Sequence, residues 1–419
     1  MAQAGQDTRG IEQVELADKQ LWEHGPPYEV FKEMRSGCPV HWTERLEDYP
    51  EEAGFWSVTT AEDVHAVSRD WQTYSSELGG VTAFAEIFPL ELARAMFIGQ
   101  DPPKHDRVKA LFQRGFTPKR IADHEDAIRA IVVGVLDRLQ GPPALETCDL
   151  VSDVAQPVVS RVIGSFMGIS EEEDALWARI MNAALAPDDE ELAPEGIEGV
   201  LEQDFPVMFE RCRAMIAERR EHPTDDLMSV LVNAEVDGEK LEEIEIVMGF
   251  FLLMAAGNDS TKATFCSGMR ALMENPEQMR LLLEDPSLIP DAVEEALRMF
   301  PAFAHFRRTA TCDTELHGQK IKEGEKVVMW YVSSNRDESR YEHPDRFEVR
   351  RKAEHQAFGA GGRHFCLGTA LARLELRVLF EETLARFPQI ALDGEPAPAQ
   401  ALFVNQLKEL PVRLVPAAA

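Results

Sequence analysis

The sequence predicts a mainly α-helical fold with a small β subdomain, and three observations carry that reading. Apolar residues recur at helical spacing over residues 122–139, 203–221 and 241–273, each long enough for several turns. β-Type runs are short and lie toward the two ends, at residues 54–60 and, after a turn at Glu323-Gly324, at residues 326–332. No repeat or low-complexity tract breaks the chain.

Residues 1–20 read as a flexible N-terminal tail, and residues 186–196, acidic and proline-bearing, as an exposed connector between helices. A length of 419 would ordinarily suggest more than one domain. The pieces of one candidate site are spread so widely, however, that residues 1–419 are read as one domain. Lys plus Arg total 43 against 74 Asp plus Glu, a net charge of −31. So acidic a surface argues against binding nucleic acid or an anionic membrane, and for a soluble, cytoplasmic protein. The longest apolar run, residues 246–256, is too short to span a bilayer. The polar start has no apolar signal core. Cys38, Cys148, Cys212, Cys266, Cys312 and Cys366 fit neither zinc nor disulfide spacing.

The most informative segment is Phe-Gly-Ala-Gly-Gly-Arg-His-Phe-Cys-Leu-Gly at residues 358–368. Its glycines allow backbone angles closed to other residues and let the chain approach a flat cofactor closely. Leu367, Leu371, Leu374 and Val378 then mark a helix with one buried face. Cys366 stands at that helix's start, where the dipole favours thiolate over thiol. This suits a thiolate presented as the sole protein ligand of an iron, and thiolate ligation of haem favours O–O cleavage. An isolated cysteine is more often an inert buried thiol, and a glycine-rich loop can also cradle phosphate. No Gly-Lys-Ser/Thr follows here, and the strand and downstream acid of a dinucleotide site are missing.

Three further motifs stand out. Ala-Ala-Gly-Asn-Asp-Ser-Thr, residues 255–261, puts Gly257 mid-helix at a cost of about 1 kcal/mol against alanine. Asp259-Ser260-Thr261 adds polar groups to an apolar run, a departure that marks function or a kink with a hydroxyl bonded back to a carbonyl. Glu294-Glu295-Ala-Leu-Arg298 sets Glu295 and Arg298 on one helix face. In Asp101-Pro-Pro-Lys-His105-Asp-Arg-Val-Lys109, Asp101 suits an N-cap and the prolines an opening turn.

Taken together and in their order along the chain, the four motifs resemble those of the cytochrome P-450 superfamily, soluble bacterial type, over nearly the whole chain. Weaker matches at Asn335-Arg-Asp337 and residues 404–411 fill the gaps. The resemblance implies the cytochrome P-450 fold and haem b (iron protoporphyrin IX), with Cys366 as the axial ligand of its iron. It implies Gly257 and Phe358 beside the cofactor, and His105, Lys109, Arg308 and His364 directed to the haem propionates. Lys109 stands where the family has arginine, keeping the charge and losing the planar fork. Asp259, Ser260 and Thr261 become the catalytic groups that deliver protons, with serine where threonine is usual. Glu295, Arg298 and Arg346 become a buried structural network.

The implied activity is a monooxygenase that puts one atom of O₂ into a small hydrophobic substrate. No flavin or nicotinamide fingerprint is present, so two electrons would come from outside, through ferredoxin reductase and ferredoxin. The basic island at residues 101–120 is either a solvated helix face or the docking patch for that ferredoxin. The cysteine loop is one residue longer than in most bacterial relatives, as in members that hydroxylate sterols and methyl-branched lipids. Val81, Phe84, Phe88, Phe97, Leu253, Ala256, Phe303 and Val404 would line the pocket, with His305 or Asn405 offering an orienting hydrogen bond. A steroid, terpenoid, branched lipid or aromatic hydrocarbon fits that wall. Two rival readings are a peroxide-driven peroxygenase and a non-catalytic haem-thiolate sensor. The acid–hydroxyl pair at residues 259–260 argues against the peroxygenase.

Overall fold

Helices form the frame because each buries its apolar face against another. The computed structural model describes residues 14–44, 53–83, 89–113, 115–141, 144–236 and 238–415. Its central member is the helix Glu243–Glu274, which is buried on nearly all sides, as a core helix must be. Its start is fixed by a capping box in which Glu242 and Glu245 each accept from the other's backbone N–H. Against it pack the helices Gln156–Met167, Asp174–Leu185, Ile289–Met299 and Thr369–Arg386. The last of these follows the cysteine loop. The periodic runs at residues 122–139 and 203–221 appear as helices Glu125–Gln140 and Phe205–Glu221.

The β part is a five-stranded sheet in the order Val40–Thr43, Phe55–Val58, Lys326–Trp330, His305–Ala310 and Tyr74–Ser75. The strand Lys326–Trp330 is buried throughout and pairs antiparallel with His305–Ala310, Trp330 opposite His305. The β run expected over residues 326–332 therefore stops at Trp330. Tyr331 N–H and Val332 N–H both donate to the Ala304 carbonyl, turning the chain into the short helix Tyr331–Ser334.

Two surface expectations are corrected. The tail expected over residues 1–20 is packed from residue 14 onward, with Leu16 and Trp22 buried and the Trp22 indole N–H donating to the Leu16 carbonyl at 2.8 Å. Residues 1–13 lie outside the described residues. The connector at 186–196 is pinned rather than free. Asp189, 1% exposed, accepts from the N–H groups of Glu191, Leu192 and Gln400, and Asp188 pairs with Lys19 at 2.8 Å. Among the described residues no helix is long and apolar enough to cross a membrane.

Candidate active site

The cysteine loop is held from three sides. Gly362 has φ +82°, and a Cβ there would lie 2.6 Å from the Ser68 carbonyl, so only glycine lets the loop press on the helix Ala61–Arg69. Ser68 Oγ donates to the Gly361 carbonyl, and Cys366 N–H donates to the Phe358 carbonyl at 2.9 Å. The third hold is Lys109, whose Nζ donates to the carbonyls of Arg363 and Phe365, both at 2.6 Å. Two of the Lys109 ammonium donors are thus given to the loop beside the cysteine, while the side chain also lines the cavity where a propionate is expected. Asp101 is likewise divided. Its carboxylate accepts from Ser75 Oγ and Ser76 N–H, while its backbone carbonyl accepts from His105 N–H at 3.0 Å as the helix Lys104–Gln113 begins.

Cys366 lines the floor of a cavity of about 360 Å³. Burial pushes the thiol pKa up, while the Gly368 N–H and the charges of Lys109 and Arg373 pull it down. A haem iron held by this sulfur would favour the thiolate, as for any coordinating thiol. Behind the loop, Arg373 grips Glu294 at 2.6 and 2.8 Å and lies 4.7 Å over the Phe358 ring. Burial alone would raise Glu294, but Arg373 and His355 outweigh it and hold the carboxyl at about 2.

One end of the cavity gathers cationic groups. His105 and Arg308 are buried there and His364 is half-buried, with the two imidazoles 4.2 Å apart. Burial lowers the pKa of all three. Charge from Arg308, His105 and Lys109 depresses His364 further. His105 Nε2 is buried with no hydrogen-bond partner. His105 Nδ1 is bonded to the Asp106 carboxylate at 2.9 Å, but its Nε2 is left over, and a buried donor at this cationic end calls for an anion. The two carboxylates of a haem, whose iron would meet the Cys366 sulfur, fit this donor set.

The central helix passes over the cavity without a break through residues 255–261. Gly257 was expected beside the cofactor. It borders the cavity, but what requires glycine there is Ile163, whose Cδ1 would sit 2.8 Å from an added Cβ. Ser260 returns its hydroxyl to the Ala256 carbonyl at 2.7 Å. Ser260 and Thr261 line the cavity; Asp259 does not. Asp259 Oδ1 instead accepts from Lys262 Nζ at 2.9 Å and from Asn258 at 2.8 Å, both residues buried. Lys262 also donates to Gln156 and Asn182, tying three helices together.

Thr261 bonds to a side chain absent from the sequence reading, Glu375 of the cysteine helix, which is buried and lines the cavity. A signal for it exists in the sequence, because Glu375 falls at i+4 from Leu371 on the apolar stripe where an acid is out of place.

Of the expected pocket residues, Val81, Phe97, Leu253, Ala256 and Phe303 line the cavity. Val404 does not. It is buried behind the wall in a β-bridge to Phe303, and its neighbours Leu402 and Phe403 take the wall position. Phe84 and Phe88 lie outside the described residues. His305 has no nitrogen to spare for a substrate. Its Nε2 accepts from Ala83 N–H and its Nδ1 bonds the Leu402 carbonyl, each at 3.1 Å, and burial holds its pKa down to about 3. Asn405 does not line the cavity, and its Nδ2 donates to the Pro301 carbonyl at 3.2 Å.

The structural network is also corrected in one member. Arg298 meets Glu295 at 2.7 and 2.8 Å, both 0% exposed. The further guanidinium on Glu295 belongs to Arg351, at 3.1 Å, whereas Arg346 is exposed and contributes only its carbonyl.

The geometry has counterparts among known proteins. A steroid C26-monooxygenase of Mycobacterium tuberculosis is 34% identical over 409 residues, covering 96% of this chain and 97% of the relative. A methyl-branched lipid omega-hydroxylase of Mycobacterium bovis is 35% identical over 387 residues, covering 91% and 90%. The structure of the Mycobacterium marinum cytochrome P450 CYP268A2 in complex with pseudoionone superposes with a TM-score of 0.90 at 36% identity, covering 97% of this chain and 100% of that one. The cytochrome P450 family model matches residues 199–408. At that identity and coverage, the chain belongs to the cytochrome P450 family, as a haem-thiolate monooxygenase that binds haem b through a cysteine thiolate.

Proposed function

We propose that this monooxygenase hydroxylates a neutral hydrophobic substrate of the steroid or methyl-branched lipid class, in the cytoplasm, with two electrons from an external ferredoxin and ferredoxin reductase. The observation that carries the substrate reading is the cavity wall. Its cationic groups, His105, Lys109, Arg308 and His364, are gathered near the cysteine loop; of its acids, Asp188 is paired with Lys19 and Glu375 is buried with its pKa raised to about 8. The remaining wall is dominated by apolar side chains such as Leu90, Met96, Ile98, Phe251 and Phe306. A charged substrate would be desolvated there without a partner.

Bound haem, ligated by Cys366, would supply oxygen activation. The protein's part is to hold that group, exclude water and deliver protons. Asp259, Ser260 and Thr261 are the proposed catalytic segment, with Asp259 able to reach the cavity only once its pairing with Lys262 is broken. For the ferredoxin, the supporting surface is smaller than the basic island at residues 101–120. Lys104 pairs with Glu245, Lys109 is buried, and Arg114 lies outside the described residues. Lys119 and Arg120 remain exposed, Arg363 is exposed but paired with Asp106 at 2.9 Å, and Phe365 is 43% exposed at the cysteine loop itself. Reconstitution tests this part. Oxygen uptake driven by NAD(P)H should require both ferredoxin and its reductase, whereas rapid turnover on hydrogen peroxide alone would favour the peroxygenase.

A further inference from the structure

Residues 79–82 and 401–403 both line the cavity, although they stand far apart in the chain. What brings them together is the segment at residues 302–307. Its backbone supplies a first set of links, with Arg307 N–H donating to the Val81 carbonyl at 2.7 Å and Ala304 N–H to the Phe403 carbonyl at 2.8 Å. The His305 imidazole supplies a second. Its Nε2 accepts from Ala83 N–H and its Nδ1 donates to the Leu402 carbonyl, each at 3.1 Å, across 222 and 97 residues of sequence. An amide N–H only donates and a carbonyl only accepts, so these partners fix a neutral ring with its proton on Nδ1. Burial keeps it neutral by holding its pKa down to about 3. The residue is 1% exposed, and its ring lies 4.7 Å from that of Trp330 and 5.4 Å from that of Phe403, centroid to centroid. Phe403 then packs on Phe303 and Phe306 at 5.1 and 5.4 Å, and all three phenyl rings line the cavity. An apolar side chain would fill this place with less desolvation, but it would leave the Ala83 N–H and the Leu402 carbonyl without these bonds.

We propose that His305 is a specificity-determining positioning residue: its imidazole clamps the loop at residues 79–83 to the loop at residues 401–403 and so sets the shape of substrate that this wall accepts. Loops are the softer parts of a fold, so a side chain that ties two of them decides where both come to rest. A close-packed interior passes that setting on to the rings of Phe303, Phe306 and Phe403. His305 spends no polar atom on the substrate. This rests on the reading of the cavity as the site of a neutral hydrophobic compound. Within that class the clamp selects by shape, as between a branched and a linear chain of the same size.

The test uses the full-length, haem-loaded protein and azoles as probes, because an azole nitrogen binds the iron whatever the natural substrate is. Two isomers, tert-butylphenylimidazole and n-butylphenylimidazole, share the iron bond and the apolar size and differ in shape. The ferric wild type should bind one of them several-fold more tightly than the other. His305→Phe, which keeps a ring and loses both hydrogen bonds, should bind the two nearly alike. His305→Asn can still reach Leu402 and His305→Gln can still reach Ala83, so each should keep part of the discrimination. Plain imidazole should bind all four proteins equally. Nitrogen NMR of the ferrous, carbon-monoxide-bound wild type supplies a second readout. His305, identified among the 11 histidines by its loss in His305→Asn, should be a neutral ring protonated on Nδ1 between about pH 5 and 8. A wild-type isomer ratio in His305→Phe, a wild type that binds both isomers alike, or a His305 ring protonated on both nitrogens overturns the proposal. If His305→Phe does not load haem, His305→Asn and His305→Gln decide the point. A wild type whose haem band no neutral compound shifts would contradict the substrate reading instead, and the azole isomers would still decide whether His305 shapes the wall.

Discussion

Lys262 and Asp259, one turn apart on the central helix, form a buried ion pair of 2.9 Å. Asn258 also donates to Asp259 Oδ1, leaving Oδ2 buried without a hydrogen-bond partner, and the amine donates to Gln156 and Asn182. The pair turns the expected proton relay away from the cavity and locks three helices together. Lys262→Met strands a buried carboxylate and should cost about 3–5 kcal/mol in chemical unfolding. Adding Asp259→Asn should restore most of that loss, since no charge is then left unpaired. Asp259→Asn alone should slow NAD(P)H-coupled oxygen uptake while leaving substrate binding to the ferric protein intact.

The network under the cysteine loop gives a second, sharper contrast. Arg351 lies 3.1 Å from Glu295, and Arg346 sends its side chain to the surface. Arg346→Ala should change unfolding free energy by no more than about 0.5 kcal/mol. Arg351→Ala should cost about 1–3 kcal/mol, because it removes a charged hydrogen bond from a buried carboxylate. Arg298→Ala should be the most damaging of the three, leaving Glu295 buried with its main partner gone.

Lys109 ties the loop that carries Cys366 to the helix Lys104–Gln113. Lys109→Met leaves the Arg363 and Phe365 carbonyls without that donor, at a cost of about 1–3 kcal/mol. The loss should appear as faster haem transfer to an apo-globin acceptor, with the same protein yield. An unchanged transfer rate would show that the loop does not depend on this lysine.

The pH dependence of stability follows from Glu375. Its carboxyl is raised from an ordinary 4.5 to about 8 in the folded protein. Between those values the folded state binds the extra proton, so this contribution is fully present below about 4.5 and lost as the pH climbs to about 8. Melting temperature against pH should therefore fall more steeply over that window in the wild type than in Glu375→Gln. Parallel curves would contradict the buried, neutral carboxyl.

Much of the frame was legible because it follows from local periodicity, as in Glu125–Gln140 and Phe205–Glu221. The cysteine loop was legible because its glycines and the apolar helix after it sit in one short stretch. What escaped depends on contacts far apart in the chain. Lys109 finds its carbonyls 254 and 256 residues away, and no local pattern separates that fate from a propionate contact. Arg351 displaced Arg346 because the turn at residues 343–351 decides which side chain points inward. The Asp259–Lys262 pair is different, because its i, i+3 spacing was there to be read. Glu375 was visible too, as an acid on an apolar stripe.

The central claim is a cavity floored by Cys366 and walled for a neutral hydrophobic substrate. It is tested most directly by titrating the ferric, haem-loaded protein with steroids, branched lipids, terpenes and small aromatics, following the main haem absorption band. The account predicts a saturable shift to shorter wavelength with a neutral steroid or branched lipid, and much weaker binding of an analogue carrying a charge on the same skeleton. No shift from any neutral compound, or tighter binding of the charged analogue, would contradict it.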